Sequence, residues 1–190
     1  MKKLMIALAA VAVAAVAQAA SINWGITANT WYLSNGTSKA PAGTTVYLIN
    51  AASWDTIETA IKGGATSFTT SDTGILGKAN TSNAKGYIAN TTTATSASLT
   101  AGTSYNVAYL VFDTTDTSDV KYFASKTSTI AAYDPGDATY SETQTVTFGS
   151  GNYSNTGLSG GWQSAAVPEP TSGLLMLLGV AGLALRRKRA

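Results

Sequence analysis

The residues able to do chemistry in this chain are few and of narrow kinds. Its 190 residues include no histidine and no cysteine. That removes imidazole- and thiolate-based nucleophile systems and strips zinc or blue-copper chemistry of its usual ligands. Oxygen chemistry remains. Asp113, Asp116 and Asp119 recur among Thr and Ser after an apolar run, an oxygen set that suits calcium. Their three-residue spacing misses the EF-hand pattern of alternate ligands, a Gly and a closing Glu, and Asp also nucleates turns in solvated loops. Glu58 and Glu142 are the only glutamates between residues 20 and 166, so they are the glutamates open to a paired-carboxylate glycosidase. Trp24, Trp31, Tyr32 and Trp54 offer flat faces for stacking sugar rings where they meet solvent, and core packing where they do not.

Strands must position these groups. Thr and Ser make up nearly a third of residues 20–166, and Thr suits a pleated, half-buried surface. In the run Tyr105 to Asp113, Tyr105, Val107, Tyr109 and Val111 fall on one face, and Ala108, Leu110 and Phe112 on the other. Apolar groups on both faces predict a central strand. Thr44 to Asn50 reads the same way, and Thr139 to Phe148 alternates with Tyr140, Val146 and Phe148 on one side. Shorter strands are expected at Ile22 to Thr27, Thr30 to Leu33, Thr66 to Thr70, Gly86 to Ile88 and Lys121 to Ala124. Turn signals separate them at Asn35-Gly36, Ala42-Gly43, Ala101-Gly102 and Asp134-Pro135-Gly136-Asp137. One helix is predicted, with Ser53 as its cap, Asp55 and Glu58 as a capping pair, a Trp54, Ile57 and Ile61 stripe, and Gly63-Gly64 as its stop. It is expected to plug one end of the fold. The pattern is all-β: a sandwich, jelly-roll or immunoglobulin-like, with one short helix. With no disulfide available, packing alone must hold it.

The two ends have a different composition. Lys2 and Lys3 precede an apolar run from Leu4 to Val16, followed by Ala17-Gln18-Ala19. This is the form of a secretory signal cleaved after Ala19. At the other end come Val167-Pro168-Glu169-Pro170, thirteen residues from Gly173 to Leu185 without a charge, and Arg186-Arg187-Lys188-Arg189. Thirteen helical residues span about 20 Å against a hydrocarbon core of about 30 Å, a marginal anchor that flanking Thr171 and Ser172 and snorkelling arginines extend. Four cations after it predict a cytoplasmic stop, with the body outside.

The charge balance follows from this layout. The chain carries a net +2 and a pI near 8.8, yet every arginine lies between Arg186 and Arg189, and residues 20–166 hold six lysines against nine acids. The body is therefore about −3 and has no basic patch for nucleic acid.

The ordered combination of a signal peptide, Val167-Pro168-Glu169-Pro170, a short apolar helix and a basic cluster resembles the PEP-CTERM sorting signal. The resemblance covers the tail only. It implies an exported bacterial protein handled by exosortase, a membrane processing enzyme, with a transient stay at the inner membrane and a link to exopolysaccharide and biofilm. The expected layout is a signal peptide at 1–19, a β-sandwich domain at 20–148, a Gly/Ser-rich linker at 149–166 and the sorting signal with its short transmembrane helix at 167–190. For function, the expectation is a non-enzymatic surface or extracellular-matrix protein without a cofactor. A carbohydrate-binding or adhesin module is the alternative, and a secreted glycosidase the third reading. The Thr/Ser tract from Thr91 to Ser98 is expected as loop, available to O-linked sugars.

Overall fold

A computed structural model describes residues 19–27, 31–82, 87–137, 145–149, 152 and 157–165. Nine strands and one α-helix occur among them: β1 (Ser21–Ile26), β2 (Thr45–Asn50), α1 (Trp54–Lys62), β3 (Ile75–Asn80), β4 (Ile88–Thr95), β5 (Ser104–Asp113), β6 (Lys121–Ala124), β7 (Ser128–Ala131), β8 (Thr145–Phe148) and β9 (Gln163–Ser164). They form two sheets. The smaller has the order β4-β1-β8; the larger runs β3-β2-β5-β6-β9, with β7 also paired to β5. Every pairing is antiparallel except β1 with β8.

Period-two alternation builds two cores from one sheet. Val46 and Leu48 of β2, with Val107, Tyr109 and Val111 of β5, point to the interior between the sheets, where they meet Ile22, Trp24 and Ile26 of β1 and Phe148 of β8. Their neighbours Tyr47, Ile49, Ala108, Leu110 and Phe112 point the opposite way, onto Trp54, Ile57 and Ile61 of α1. The two-faced pattern of β5 thus has its expected cause. It lies inside the larger sheet with β2 on one side, and β6 and β7 share the other. The molecule is a β-sandwich with a helix on the outer face of the larger sheet.

That placement corrects the expectation of a helix plugging one end. The connection from β2 to α1 is too short to leave the sheet: Ala51–Ser53 form a single 3₁₀ turn between them. The capping bond also moves. Asn50, with extended backbone (φ −79°, ψ 117°), accepts from the Ala52 N–H at 3.1 Å, whereas Ser53 already lies in the turn and makes no side-chain cap bond. A capping side chain works from extended geometry at the helix entrance, and here Asn50 holds it. Glu58 accepts from the Tyr122 hydroxyl at 3.0 Å and pairs with Lys62 at 3.0 Å. Gly63 and Gly64 end the helix as expected.

Other expectations shift as well. Residues 66–69 have no strand partner; this segment lays Phe68 edge-on against Tyr47 at 5.9 Å between ring centroids. Trp31 to Leu33 contribute only an isolated bridge, Tyr32 to Lys39. The Thr/Ser tract is not loop throughout, because Thr92 to Thr95 pair with Ser21 to Trp24. Two strands had no clear signal, β3 and β7. Gly77 in β3 breaks its apolar pattern for a packing reason: a Cβ there would come within 2.6 Å of the Ala94 Cβ, where the edges of the two sheets meet. Of Thr139 to Phe148, β8 covers the last four residues, with Val146 and Phe148 buried; Tyr140 lies outside the described residues.

Candidate functional site

The aromatic side chains are where the expected sugar platform is tested. Trp24 is fully buried, Trp31 is 3 % exposed and Trp54 is 9 % exposed. The carbohydrate-stacking reading of these three residues is therefore corrected: each sits on an element whose apolar face is turned to a core, and Trp54 lies 6.2 Å from Tyr122, centroid to centroid. Tyr32, at 46 % exposed, is the one proposed platform residue at the surface, and Tyr87 is exposed too. Those two do not make a row of stacking faces.

The carboxylates are equally committed. Glu58 is held by Tyr122 and Lys62, and Glu142 lies outside the described residues. Asp113 ends β5, 4 % exposed. The N–H and Oγ–H of Ser34 donate to its Oδ2 at 3.0 and 2.6 Å, and the N–H and Oγ–H of Thr115 donate to its Oδ1 at 3.1 and 2.6 Å. Asp116 repeats the local half of this device with the N–H and Oγ–H of Ser118. Asp119 pairs with Lys121 at 3.5 Å. All three aspartates line one cavity of about 260 Å³ together with Lys121. Among the described residues, however, no group of three or more carboxylates is arranged to hold a metal ion. The contacts seen are those of the turn-forming role that Asp plays in solvated loops. An Asp that accepts from the amide two residues ahead turns its oxygens into its own loop rather than toward a shared centre, and the cation in this cavity is Lys121.

Two ionisations follow from these contacts. Burial by itself pushes the Asp113 carboxyl up, but the four hydrogen bonds from Ser34 and Thr115 outweigh it and bring it below the ordinary carboxylate value. Burial, then the hydrogen bond and charge of Glu58, push the Tyr122 phenol up to about 12. The signs are opposite in their consequences. A depressed acid stabilises the fold above its unfolded value, near 3.9, and that contribution is lost as pH falls through the folded value. A raised phenol stabilises the fold below about 10, and that contribution is lost as pH rises toward 12. Thermal melting should therefore fall below about pH 4. Asp113→Asn, which leaves the Ser34 and Thr115 donors facing an amide, should cost about 1–3 kcal/mol at neutral pH and flatten the acid limb. Melting curves across pH for both proteins check this; an acid limb of equal depth in Asp113→Asn would refute the assignment.

A groove of about 360 Å³ opens beside this loop, lined by Leu33, the 41–45 turn, Tyr47 and the 112–115 turn. Among the described residues the only carboxylate lining it is Asp113, whose oxygens already accept four hydrogen bonds. The groove therefore presents hydroxyls and no free general base.

The approach to the tail was expected as linker, and part of it is packed. Residues 157–165 run along β6, where Gln163 and Ser164 pair with Tyr122 and Lys121, and the Ala165 N–H donates to the Val120 carbonyl at 2.7 Å. The Ser159 hydroxyl accepts from the Ala124 N–H at 3.0 Å and donates to the Gly161 carbonyl at 2.6 Å. The Trp162 ring lies 5.7 Å from that of Phe123, and Ala165 is buried against the helix-side core. Gly157 has to be glycine, since a Cβ there would strike the Ala124 carbonyl oxygen. The packed body thus includes residues up to Ala165. Glycine content and polarity at 149–166 resembled a linker, and the residues paired between β9 and β6, Gln163 with Tyr122 and Ser164 with Lys121, are 41 and 43 positions apart in sequence, beyond any local signal.

At the other end, Ala20 is the first buried residue among those described, immediately after the expected cleavage point at Ala19. Ala17 and the rest of the expected signal peptide lie outside the described residues, as do Val167, Pro168, Glu169, Pro170 and the cluster Arg186, Arg187, Lys188 and Arg189. Among the described residues no helix is long and apolar enough to cross a membrane.

Comparison with known proteins bears on this tail. The family model of the PEP-CTERM protein-sorting motif matches residues 166–189. No curated protein and no solved structure matches the chain. The match begins at the residue after Ala165, the last of the described residues, which is itself packed on the domain. Residues 166–189 thus match a PEP-CTERM protein-sorting motif, which suggests an exported protein targeted to an exosortase.

Proposed function

We propose that this chain is a non-enzymatic surface or extracellular-matrix protein, carried out of the cell by a signal peptide and associated with exopolysaccharide after sorting. The observation that carries the reading is the sorting motif at residues 166–189. The chemistry of the body supports it. Without histidine or cysteine, catalysis would fall to carboxylates, and Asp113 and Glu58 are each held by structural partners. The indoles that would form a sugar platform serve the cores, which leaves the adhesin alternative with Tyr32 and Tyr87. A body with few charges and abundant surface Thr and Ser suits a hydrated polysaccharide phase. In this reading the apolar run from Gly173 to Leu185 tethers the precursor in the inner membrane, and Arg186 to Arg189 face the cytoplasm.

The test is the intact mass of the mature protein recovered from its native host. The expected product begins at Ala20 or Ser21 and ends near Pro168 to Pro170. A mass that still includes Arg189 would make the tail a permanent anchor and overturn exosortase processing.

A further inference from the structure

The closeness of a packed residue, Ala165, to the start of the sorting motif sets a geometric problem. Ala165 is tied to Val120 by its backbone N–H, and the motif begins at residue 166. Each residue spans at most about 3.6 Å, so whatever path 166–168 take, Pro168 stays within about 11 Å of Ala165. A body of this size has a radius of gyration of about 15 Å. While β9 is paired, a membrane enzyme that takes hold of Pro168-Glu169-Pro170 must therefore work against the flank of the folded domain.

The segment that imposes this limit is built to come away. β9 has two residues, both exposed, and among the described residues it forms the end of the sheet, paired on one side only, with β6. By contrast β5 is buried on both faces in the middle of the sheet. Short edge elements with few buried contacts open locally at much lower free energy than the whole fold. Opening residues 158–165 as far as Gly157 would add roughly 26–29 Å of reach to the motif. It would leave the two cores between β1, β2, β5 and α1 in place, because residues 157–165 add only Ala165, Leu158 and Trp162 to them.

We infer that residues 157–165 form a detachable clasp that holds the sorting motif against the domain edge, and that the processing enzyme acts on the tail after this clasp opens. The inference rests on the sorting reading above and adds the step that limits its rate. Ser159 is the positioning residue, since its one hydroxyl bridges the Ala124 N–H of β6 and the Gly161 carbonyl of the clasp's own turn.

The experiment is pulse-chase labelling in the native host, following loss of the tail by intact mass, for the natural chain and two variants. One carries about ten Gly and Ser residues inserted between Ala165 and Ala166, which adds a flexible span of roughly 17 Å without altering the domain. The other is Ser159→Ala, which removes the bridge. The spacer variant should be processed several-fold faster than the natural chain. Ser159→Ala should speed processing roughly five- to tenfold, the shift in open population from one to two lost hydrogen bonds. Near-UV circular dichroism of both variants should remain native, which separates clasp release from general unfolding. A natural chain that is processed, with the spacer variant processed at the same rate, would overturn the clasp and leave the sorting reading standing. A natural chain that keeps its tail would overturn both.

Discussion

Trp24→Ala lowers the stability of the body by about 3–5 kcal/mol, the range for truncating a buried large aromatic. Folded domains hold about 5–15 kcal/mol in total, so this one change should leave much of the protein unfolded at growth temperature. The argument is local. Trp24 is fully buried at the centre of β1, which is the middle strand of the smaller sheet, and its ring fills space between that sheet and the larger one. No disulfide stands behind the packing, because the chain has no cysteine. Trp24→Phe should be much milder. The Trp24 indole N–H has no hydrogen-bond partner among the described residues, so that replacement removes ring volume without breaking a polar contact. Urea unfolding of the three proteins checks both halves. Equal losses for Phe and Ala would mean that the N–H, rather than the ring, carries the effect.

Replacing Pro168, Glu169 and Pro170 together with alanine should abolish tail removal, with the full-length precursor accumulating in the membrane fraction. Intact mass and cell fractionation read the result. The body should be unaffected, since the contacts of the described domain run no further than Ala165, three positions before the motif's first proline. Replacing Arg186 to Arg189 with uncharged residues acts on a different step. It should impair retention at the inner membrane, because the cationic stop that fixes orientation is gone. The two variants therefore separate recognition of the motif from anchoring of the tail. Normal processing of the alanine triple would show that the enzyme reads something else.

How much could be read in advance depended on whether the governing interaction was local. The two-faced strand Tyr105 to Asp113, the Trp54, Ile57 and Ile61 stripe and the Gly63-Gly64 stop were legible because period and helix termination are properties of neighbouring residues. The cap position of α1 was legible at Ser53, but its side chain makes no capping bond; that bond is made by Asn50, whose extended backbone at the end of β2 lets it cap the 3₁₀ turn before the helix. β4 was mostly read as Thr/Ser loop because its strand character comes from pairing with β1, about seventy residues away. β3 was hidden by Gly77, which is small to let the sheet edges meet at Ala94. Ser34 could not have been named as the partner of Asp113, since the two are 79 residues apart and Ser is common throughout the chain.

The sequence by itself determined what depends on order and composition. The sorting motif at the tail is one such feature, since it is recognised as a linear string of residue types. The exclusion of imidazole and thiol chemistry, the acidic body behind a basic overall pI, and the β-rich character follow in the same way. Tertiary structure alone decided where side chains point and what they touch. It put Trp24, Trp31 and Trp54 inside rather than on a sugar-facing surface, turned the aspartates into their own loop, and laid α1 across a sheet face. It also drew residues 157–165 onto β6, up to the edge of the sorting motif. The physical reason is the same in each case: burial and pairing join residues far apart along the chain, and residue type alone does not say which partner an indole, a carboxylate or an edge strand will find.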